Sequence, residues 1–327
     1  MRILVTGATS MIGRHVVSLL LARGDEVTVV QRHRSGLPGV SEHCCDLADR
    51  HTVDTDPLRS VMSGHETVVH LAAKVGVSGR WDAFEAVNVH GTERLINVAR
   101  QGGIGRFVHI SSPSVAHAGI SLVGAPAGAA DPHNARGHYA RSKAIGEQMA
   151  LAANSTPMRV VVLRPHLVWG PGDTQLVQRV IDRARAGRLF LVGSGLALID
   201  TTFVDNAATA IVAGIDNASR AAGQPYVISN GQPRTVREIL QRILKAAGMS
   251  IRLRHVPTSV AVTAGSLIEQ VWESLDRQEE PPMTRFLAEQ LATAHWFDQR
   301  STQAALDWQP VIDLEEGFVR LAESLSA

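Results

Sequence analysis

Arg2-Ile-Leu-Val-Thr-Gly-Ala-Thr-Ser-Met-Ile-Gly-Arg-His-Val-Val17 opens the chain and decides how the remainder is read. Arg2 to Thr6 is a short apolar run with β-branched residues, the composition of a buried strand. Gly7-Ala-Thr-Ser-Met-Ile-Gly13 is a tight turn, and from Met11 to Ala22 apolar residues recur at helical spacing. Strand, glycine turn and helix N-terminus in succession make an anion site, where unpaired backbone N–H groups and the positive helix end face a phosphate. Gly7 permits the turn and Gly13 lets the helix lie close to the strand. Paired glycines also serve plain turns and packing. Their place directly after a first strand favours a dinucleotide phosphate.

The pattern resembles the extended short-chain dehydrogenase/reductase family, whose loop usually runs Gly-x-x-Gly-x-x-Gly. Ser10 stands at the middle glycine. A serine can still offer its N–H and hydroxyl to a phosphate from an ordinary backbone conformation. The resemblance implies a Rossmann-type, doubly wound parallel α/β sheet with a smaller C-terminal lobe. It places an NAD(P)-binding domain over 1–165 and a mainly substrate-binding lobe over 166–327, the chain crossing back near 197–230. It also assigns Gly7, Thr9, Ser10, Met11, Ile12 and Gly13 to the cofactor's phosphates.

The chain has 327 residues, a formal net charge of +1 and 45% hydrophobic residues. That is a globular composition, large enough for one sizeable core and a smaller lobe. Near-zero charge gives no support for nucleic acid or an anionic membrane as partner. Cys44 and Cys45 are adjacent and cannot make an ordinary disulfide framework. The chain opens straight into a strand, so no signal peptide is expected, and no apolar run approaches the ~18 residues of a membrane span. A cytoplasmic location is the resulting expectation.

Glu26 to Gln31 reads as the second strand, whose end lies beside the adenosine ribose in dinucleotide folds. An acidic residue there favours NAD, and a nearby basic one tolerates a 2′-phosphate. Here Gln31 fills the place, and Arg32, His33 and Arg34 follow. Guanidinium matches phosphate well, so NADP is preferred, with NAD possible. A basic loop that is merely solvated is the plainer reading. His43-Cys-Cys-Asp-Leu47 closes the third strand and supplies too few well-spaced ligands for a metal. By resemblance Asp46 and Leu47 touch adenine. Thr67 to Ala73 is the fourth strand running into a small-residue turn, where Leu71, Ala72, Ala73 and Lys74 let the cofactor approach. His70 reads as a core histidine. Trp81 to Gln101 reads as one long helical stretch. Its Asn88-Val-His-Gly-Thr92 resembles the family's Asn-Val-x-Gly-Thr, which makes Asn88 a support for helix geometry and a proton-relay water. A locally bonded helix asparagine is the alternative.

Arg106 to Ser112 is the fifth strand, ending in paired serines. Ligands of open parallel sheets sit beyond the strands' carboxyl ends, which puts Ser111 and Ser112 where substrate and nicotinamide meet. Family alignment gives the reacting oxygen to Ser112, although Ser114 allows a slip. Ala116 to Arg136 lacks a period and reads as a loop, of a length common in substrate loops and lids. In Tyr139-Ala-Arg-Ser-Lys143 the two end residues share a helix face. A free phenol, pKa ~10, is little base at neutral pH, and a nearby ammonium favours the phenolate. Tyr139 is therefore expected to move the proton, with Lys143 lowering its pKa and reaching the nicotinamide ribose. A surface pair is the alternative. Arg159 to Pro165 is the sixth strand. By resemblance Pro165, His166, Leu167 and Val168 then hold the carboxamide. Trp169 either lines the pocket or packs.

Within the family the chain is most similar to the 3β-hydroxysteroid dehydrogenase-like branch. The Ser-Ser-Pro-Ser-Val run and the apolar segments around 117–130 and 258–275 carry that likeness. It implies hydride transfer between nicotinamide and the ketone or secondary alcohol of a bulky hydrophobic small molecule, of 3β-hydroxysteroid or β-keto acid type. A homodimer is the family's usual state. A nucleotide-sugar epimerase with tightly bound NAD needs the same Ser-Tyr-Lys set and is the alternative. The dehydratase is disfavoured, because Pro113-Ser114 replaces its Asp-Glu. A non-catalytic regulator is disfavoured because Tyr139 and Lys143 both persist.

Overall fold

Six short runs rich in Val, Ile and Leu, and one more polar edge segment, form the central layer in a computed structural model. It describes residues 1–49, 51, 56–76, 79–116, 119–275 and 281–326. Each run lies between two helical layers, so both faces must be apolar, which is why the inner strands read as continuous rather than alternating patterns. From one edge the seven strands are Pro225–Ile228, Arg159–Pro165, Arg106–Ile110, Thr67–His70, Arg2–Thr6, Glu26–Gln31 and Ser41–Cys44, with every pairing parallel. The order reverses between Arg2–Thr6 and Thr67–His70. That switch opens a crevice beyond the strands' carboxyl ends.

Two cores flank the sheet. One holds Ile3, Val5, Val16 and Leu20 with Ile211 and Ile215 of the later helix Val204–Asp216. The other holds Leu4, Leu58, Val68, Leu95 and Phe107. Past the sheet a third core gathers the amphipathic helices Val177–Arg185, Val236–Ala246 and Leu314–Ser326. Trp169 belongs to it, stacked on Phe318 at 4.4 Å and edge-on to Phe203 at 5.3 Å. Trp169 therefore packs; it does not line a pocket.

Three local readings change. The stretch from Trp81 to Gln101 is helical throughout, but Glu85–Gly91 widens to a π-helix between α-turns. The third strand stops at Cys44, so Cys45, Asp46 and Leu47 lie beyond it. The expected loop over 116–136 contains a strand, Leu122–Ala125, which pairs in parallel with His295–Phe297 in a four-stranded sheet. Residues 117 and 118 of that loop lie outside the described residues. Local pattern does not reveal this strand, because its partner is far away in sequence and within it lies Gly124, at φ +57° against the Trp296 ring. Among the described residues no helix is long and apolar enough to cross a membrane.

The helix Gly137–Ala152 lies against the π-helical turn, and Gly146 makes the contact. Replacing a mid-helix glycine by alanine ordinarily stabilises by ~1 kcal/mol. Here the new methyl would stand 2.6 Å from the Asn88 carbonyl oxygen, a backbone atom. Overpacking of that kind costs ~1–3 kcal/mol and outweighs the propensity gain. Gly146→Ala should thus lower the denaturant midpoint; a raised midpoint would mean that the two helices separate freely.

Candidate active site

The glycine turn is built as the sequence implies. Gly7 has φ +72°, and a Cβ on it would lie 2.7–2.9 Å from the backbone of Leu71 and Ala72. A Cβ on Gly13 would run into the Gly7 carbonyl. Ser10 keeps ordinary backbone angles and caps the helix Met11–Ala22, its hydroxyl accepting from Gly13 N–H at 3.1 Å. The same hydroxyl donates to the Gly7 carbonyl at 2.8 Å, and so does the Ser10 N–H at 3.2 Å. Both donors offered to a phosphate are thus spent inside the turn. The first turn of the helix, with Met11 and Ile12, lies beside them and is the end at which backbone N–H groups can face an anion.

Beside this turn runs a cleft of about 490 Å³, lined by Gly7, Thr9, Gln31, Arg32, His33, Arg34, Asp46, Leu47, Ala72 and Lys74. Val30, Cys45, Val75 and Val87 also line it, and the sequence reading did not assign those four. Gln31 Nε2 donates to the His33 carbonyl at 2.9 Å, which ties the basic loop to the strand end. Thr6, buried in the first strand, anchors the far side: its hydroxyl accepts from Ala72 N–H at 3.1 Å and lies 2.8 Å from His70 Nδ1. His70 Nε2 lies 3.0 Å from the Thr92 hydroxyl. His70 is fully buried, and burial together with the Lys143 charge holds its pKa down to about 3. It is a neutral core histidine. A helix N-terminus, four cations or potential cations (Arg32, His33, Arg34 and Lys74) and small-residue walls suit a nicotinamide dinucleotide.

A second cavity, of about 190 Å³, lies over the sheet's carboxyl ends and contains Ser112, Ser114, Tyr139, Pro165, His166 and Leu167. The pair of serines is resolved by orientation. Ser112 faces this cavity together with Tyr139, its hydroxyl 2.9 Å from that of Ser114. Ser111 is buried, its N–H donating to the Leu163 carbonyl at 2.7 Å. Leu167 adopts φ +42°, a strained value for a branched residue, where the chain leaves the sheet. Val168 pairs instead with Thr202.

Tyr139 and Lys143 share the helix Gly137–Ala152 as expected. Their electrostatics depart from expectation. Burial pushes the Tyr139 phenol above its ordinary value, with the Ser112 hydroxyl pulling the other way. The Lys143 ammonium is buried and donates to the Ile110 carbonyl at 2.6 Å, and burial brings its pKa down to about 8 against the pull of Glu147. Lys143 is turned to the strand end rather than lowering the phenol's pKa. Asn88 supports the helix geometry, as its motif implies. Its amide accepts from Lys74 N–H at 2.7 Å and donates to the Lys74 carbonyl and the Ser142 hydroxyl, both at 2.9 Å. It clamps the turn after the fourth strand to the tyrosine helix, from the π-helical segment that makes room for it.

Sequence reasoning missed the cavity's outer wall: Gln175, Arg179, Phe286, Gln290, His295 and Phe297. These come from three separate stretches, and none carries a local motif. His295 Nε2 lies 3.0 Å from the Gln290 carbonyl and Nδ1 lies 3.2 Å from His166 Nε2. Donation to that carbonyl leaves Nδ1 of a neutral His295 ring to accept from His166. His166 is thereby oriented at the cavity wall.

The chain is 39% identical over 335 residues to a 2-alkyl-3-oxoalkanoate reductase of Stenotrophomonas maltophilia (strain K279a), covering all of both chains. It is 28% identical over 330 residues to a decarboxylating sterol-4-alpha-carboxylate 3-dehydrogenase of Mus musculus, covering 98% of this chain and 90% of the other. Among solved structures, the UDP-glucose 4-epimerase of Thermus thermophilus in complex with NAD superposes with a TM-score of 0.74 at 24% identity, covering 100% and 99% of the two chains. At that identity the likeness shows a shared fold. The profile of the NAD dependent epimerase/dehydratase family matches residues 3–229, and with a relative this similar along its whole length the chain belongs to that family.

Proposed function

We propose that the protein is an NAD(P)-dependent reductase of a ketone, or dehydrogenase of the matching secondary alcohol, on a bulky hydrophobic substrate of 3-oxo acid or 3β-hydroxysteroid type. The observation that carries this reading is the meeting of Ser112, Tyr139 and His166 in one cavity beside a cation-lined cleft at the sheet's switch point. The names of the 39% and 28% identical relatives point the same way. The same reading takes residues 1–165 as the cofactor-binding domain and 166–327 as mainly the substrate lobe. It also takes the protein as a cytoplasmic homodimer.

A bound nicotinamide supplies or accepts the hydride at the carbonyl carbon. The chain's own residues handle the oxygen. In reduction, Ser112 donates a hydrogen bond to the carbonyl oxygen and polarises it. Tyr139, kept as a neutral phenol by burial, gives its proton as negative charge develops there. Lys143, held at the Ile110 carbonyl, presents its ammonium to the ribose of the bound nicotinamide. Asn88 fixes the helix that carries both. NADP is the proposed cofactor, supported by Gln31 in the acidic place and by Arg32, His33 and Arg34 along the same cleft. The epimerase alternative has fold likeness alone to favour it.

Three outcomes check this reading. Tyr139→Phe should lower ketone-dependent NADPH oxidation by about 10²–10⁴-fold, the usual worth of a positioned proton donor, with little change in NADPH Kd; unchanged turnover would remove the proton-transfer role. Arg32→Ala should weaken NADPH at least tenfold more than NADH in fluorescence titration, and equal affinities in the parent would overturn the choice of NADP. The third concerns pH. Because the ammonium of Lys143 is charged below about pH 8 and lost above it, kcat/KM for cofactor in reduction should be level near pH 7 and fall above pH 8. A profile level through pH 10 would separate Lys143 from the rate.

A further inference from the structure

One part of the dinucleotide cleft is held in shape by a side chain that does not line it. The Gly7 turn marks the phosphates, and Gln31, at the second strand's end, marks the adenosine ribose. The same cleft has an apolar portion made by Val30, Cys45, Leu47 and Val87. Of the parts of a dinucleotide, a flat base suits such walls better than a phosphate or a sugar.

Cys45 and Leu47 belong to a stretch that follows the third strand and holds no helix or strand up to Asp49. Its first residue is still tied to the sheet, the Cys45 N–H donating to the Gln31 carbonyl at 2.9 Å. The turn then closes on itself. Asp46 Oδ1 accepts from the Ala48 N–H at 2.9 Å, and the Asp49 N–H donates to the Asp46 carbonyl at 3.0 Å.

Past the sheet pairing, Arg94 supports this turn. It projects from the helix Thr92–Gln101 and is half-buried. Its Nη1 donates to the Leu47 carbonyl at 3.1 Å and to the Ala48 carbonyl at 2.7 Å. One nitrogen thus fixes two successive peptide units. Gly91 lets the helix come this close, because a Cβ there would stand 3.1 Å from the same Leu47 oxygen. The π-helical turn that precedes this helix supplies Val87, on the cleft's apolar portion, and Asn88. The turn after the third strand is therefore carried by the element that also clamps the tyrosine helix.

We infer that Arg94 is a positioning residue for the cofactor: by holding the Leu47 and Ala48 peptides it shapes the seat of the base, and so sets the share of affinity that the adenine half contributes. This rests on the nicotinamide-dinucleotide reading above. Arg94 does not line the cleft, so its effect is the same with or without a 2′-phosphate.

The test is calorimetry on the full chain with three ligands: NADPH, NADH and reduced nicotinamide mononucleotide, which has no adenine half. Arg94→Met keeps an apolar stem and removes both hydrogen bonds. The Kd values of NADPH and NADH should each rise about tenfold, while that of the mononucleotide stays unchanged. Arg94→Lys should cost about threefold, since an ammonium still reaches a carbonyl without the fork. If Arg94→Met does not fold, Arg94→Lys decides on the same three ligands. Dinucleotide affinities equal to the parent's in the deciding variant overturn the role. So does an equal loss for the mononucleotide, which would mark a general weakening of the fold. A loss for NADPH far above that for NADH would assign the guanidinium to the 2′-phosphate and overturn the base seat. If both dinucleotides weaken as expected and no ketone is reduced by the parent, the role of Arg94 stands and the oxidoreductase reading falls. If ketones are reduced and neither Kd responds, the role of Arg94 alone falls. A parent that binds none of the three ligands overturns both.

Discussion

The buried ion pair between Arg164 and Glu147 is the constraint on which the site depends. Both side chains are fully excluded from solvent. Arg164 projects from the strand Arg159–Pro165, and Glu147 lies one turn beyond Lys143 on the tyrosine helix. Arg164 Nε donates to Glu147 Oε2 at 2.9 Å, and a second nitrogen reaches Oε1. Two further hydrogen bonds hold the carbonyls of Ala127 and Gly128. Four hydrogen bonds from one guanidinium offset the desolvation of the two charges, whereas loss of either partner would leave a bare charge in the core at a cost of ~3–5 kcal/mol. One guanidinium thereby ties together the sheet, the helix carrying Tyr139 and the loop at Ala127 and Gly128. Asn88 and Gly146 complete the clamp from the other side.

Placement of that helix sets the proton chemistry. Burial works in opposite senses on its two ionisable groups, raising the phenol and lowering the ammonium. His70 and His109 are buried nearby and kept neutral, each pushed down by burial and by the Lys143 charge. A single cation therefore sits among neutral rings, with Glu147 beyond it. A neutral phenol is a proton donor, which suits carbonyl reduction without prior ionisation. The dinucleotide side of the crevice differs in kind. Arg32 and Arg34 flank the cleft there and favour an anionic ligand through charge rather than burial.

Much of this was readable in the sequence because it depends on local order. A strand, a glycine turn and a helix follow one another within Arg2–Ala22, and Tyr139 and Lys143 are one helical turn apart. Their geometry is fixed by neighbours in the chain. Ser112 was identifiable because parallel strands deliver their C-terminal residues to one edge. What local pattern could not show was how polar groups are shared across distance. Ser10 turns its hydroxyl inward to Gly7, Asn88 is consumed by Lys74 and Ser142, and Lys143 leans on Ile110. Each choice depends on a partner that only folding brings near. The outer wall of the cavity was hidden for the same reason: Arg179 looks like one more surface arginine on an amphipathic helix, and His295 is 129 residues from the His166 it orients.

The central claim is that hydride leaves the nicotinamide for a ketone carbon and the alcohol departs as product. A single turnover with nicotinamide deuterated on the transferring face of C4, followed by mass spectrometry of the alcohol formed from a 2-alkyl-3-oxo acid, tests it most directly. The account predicts one deuterium on the carbinol carbon and a stoichiometric amount of oxidised cofactor released. Label that stays with the protein-bound cofactor, with no alcohol formed, would contradict it.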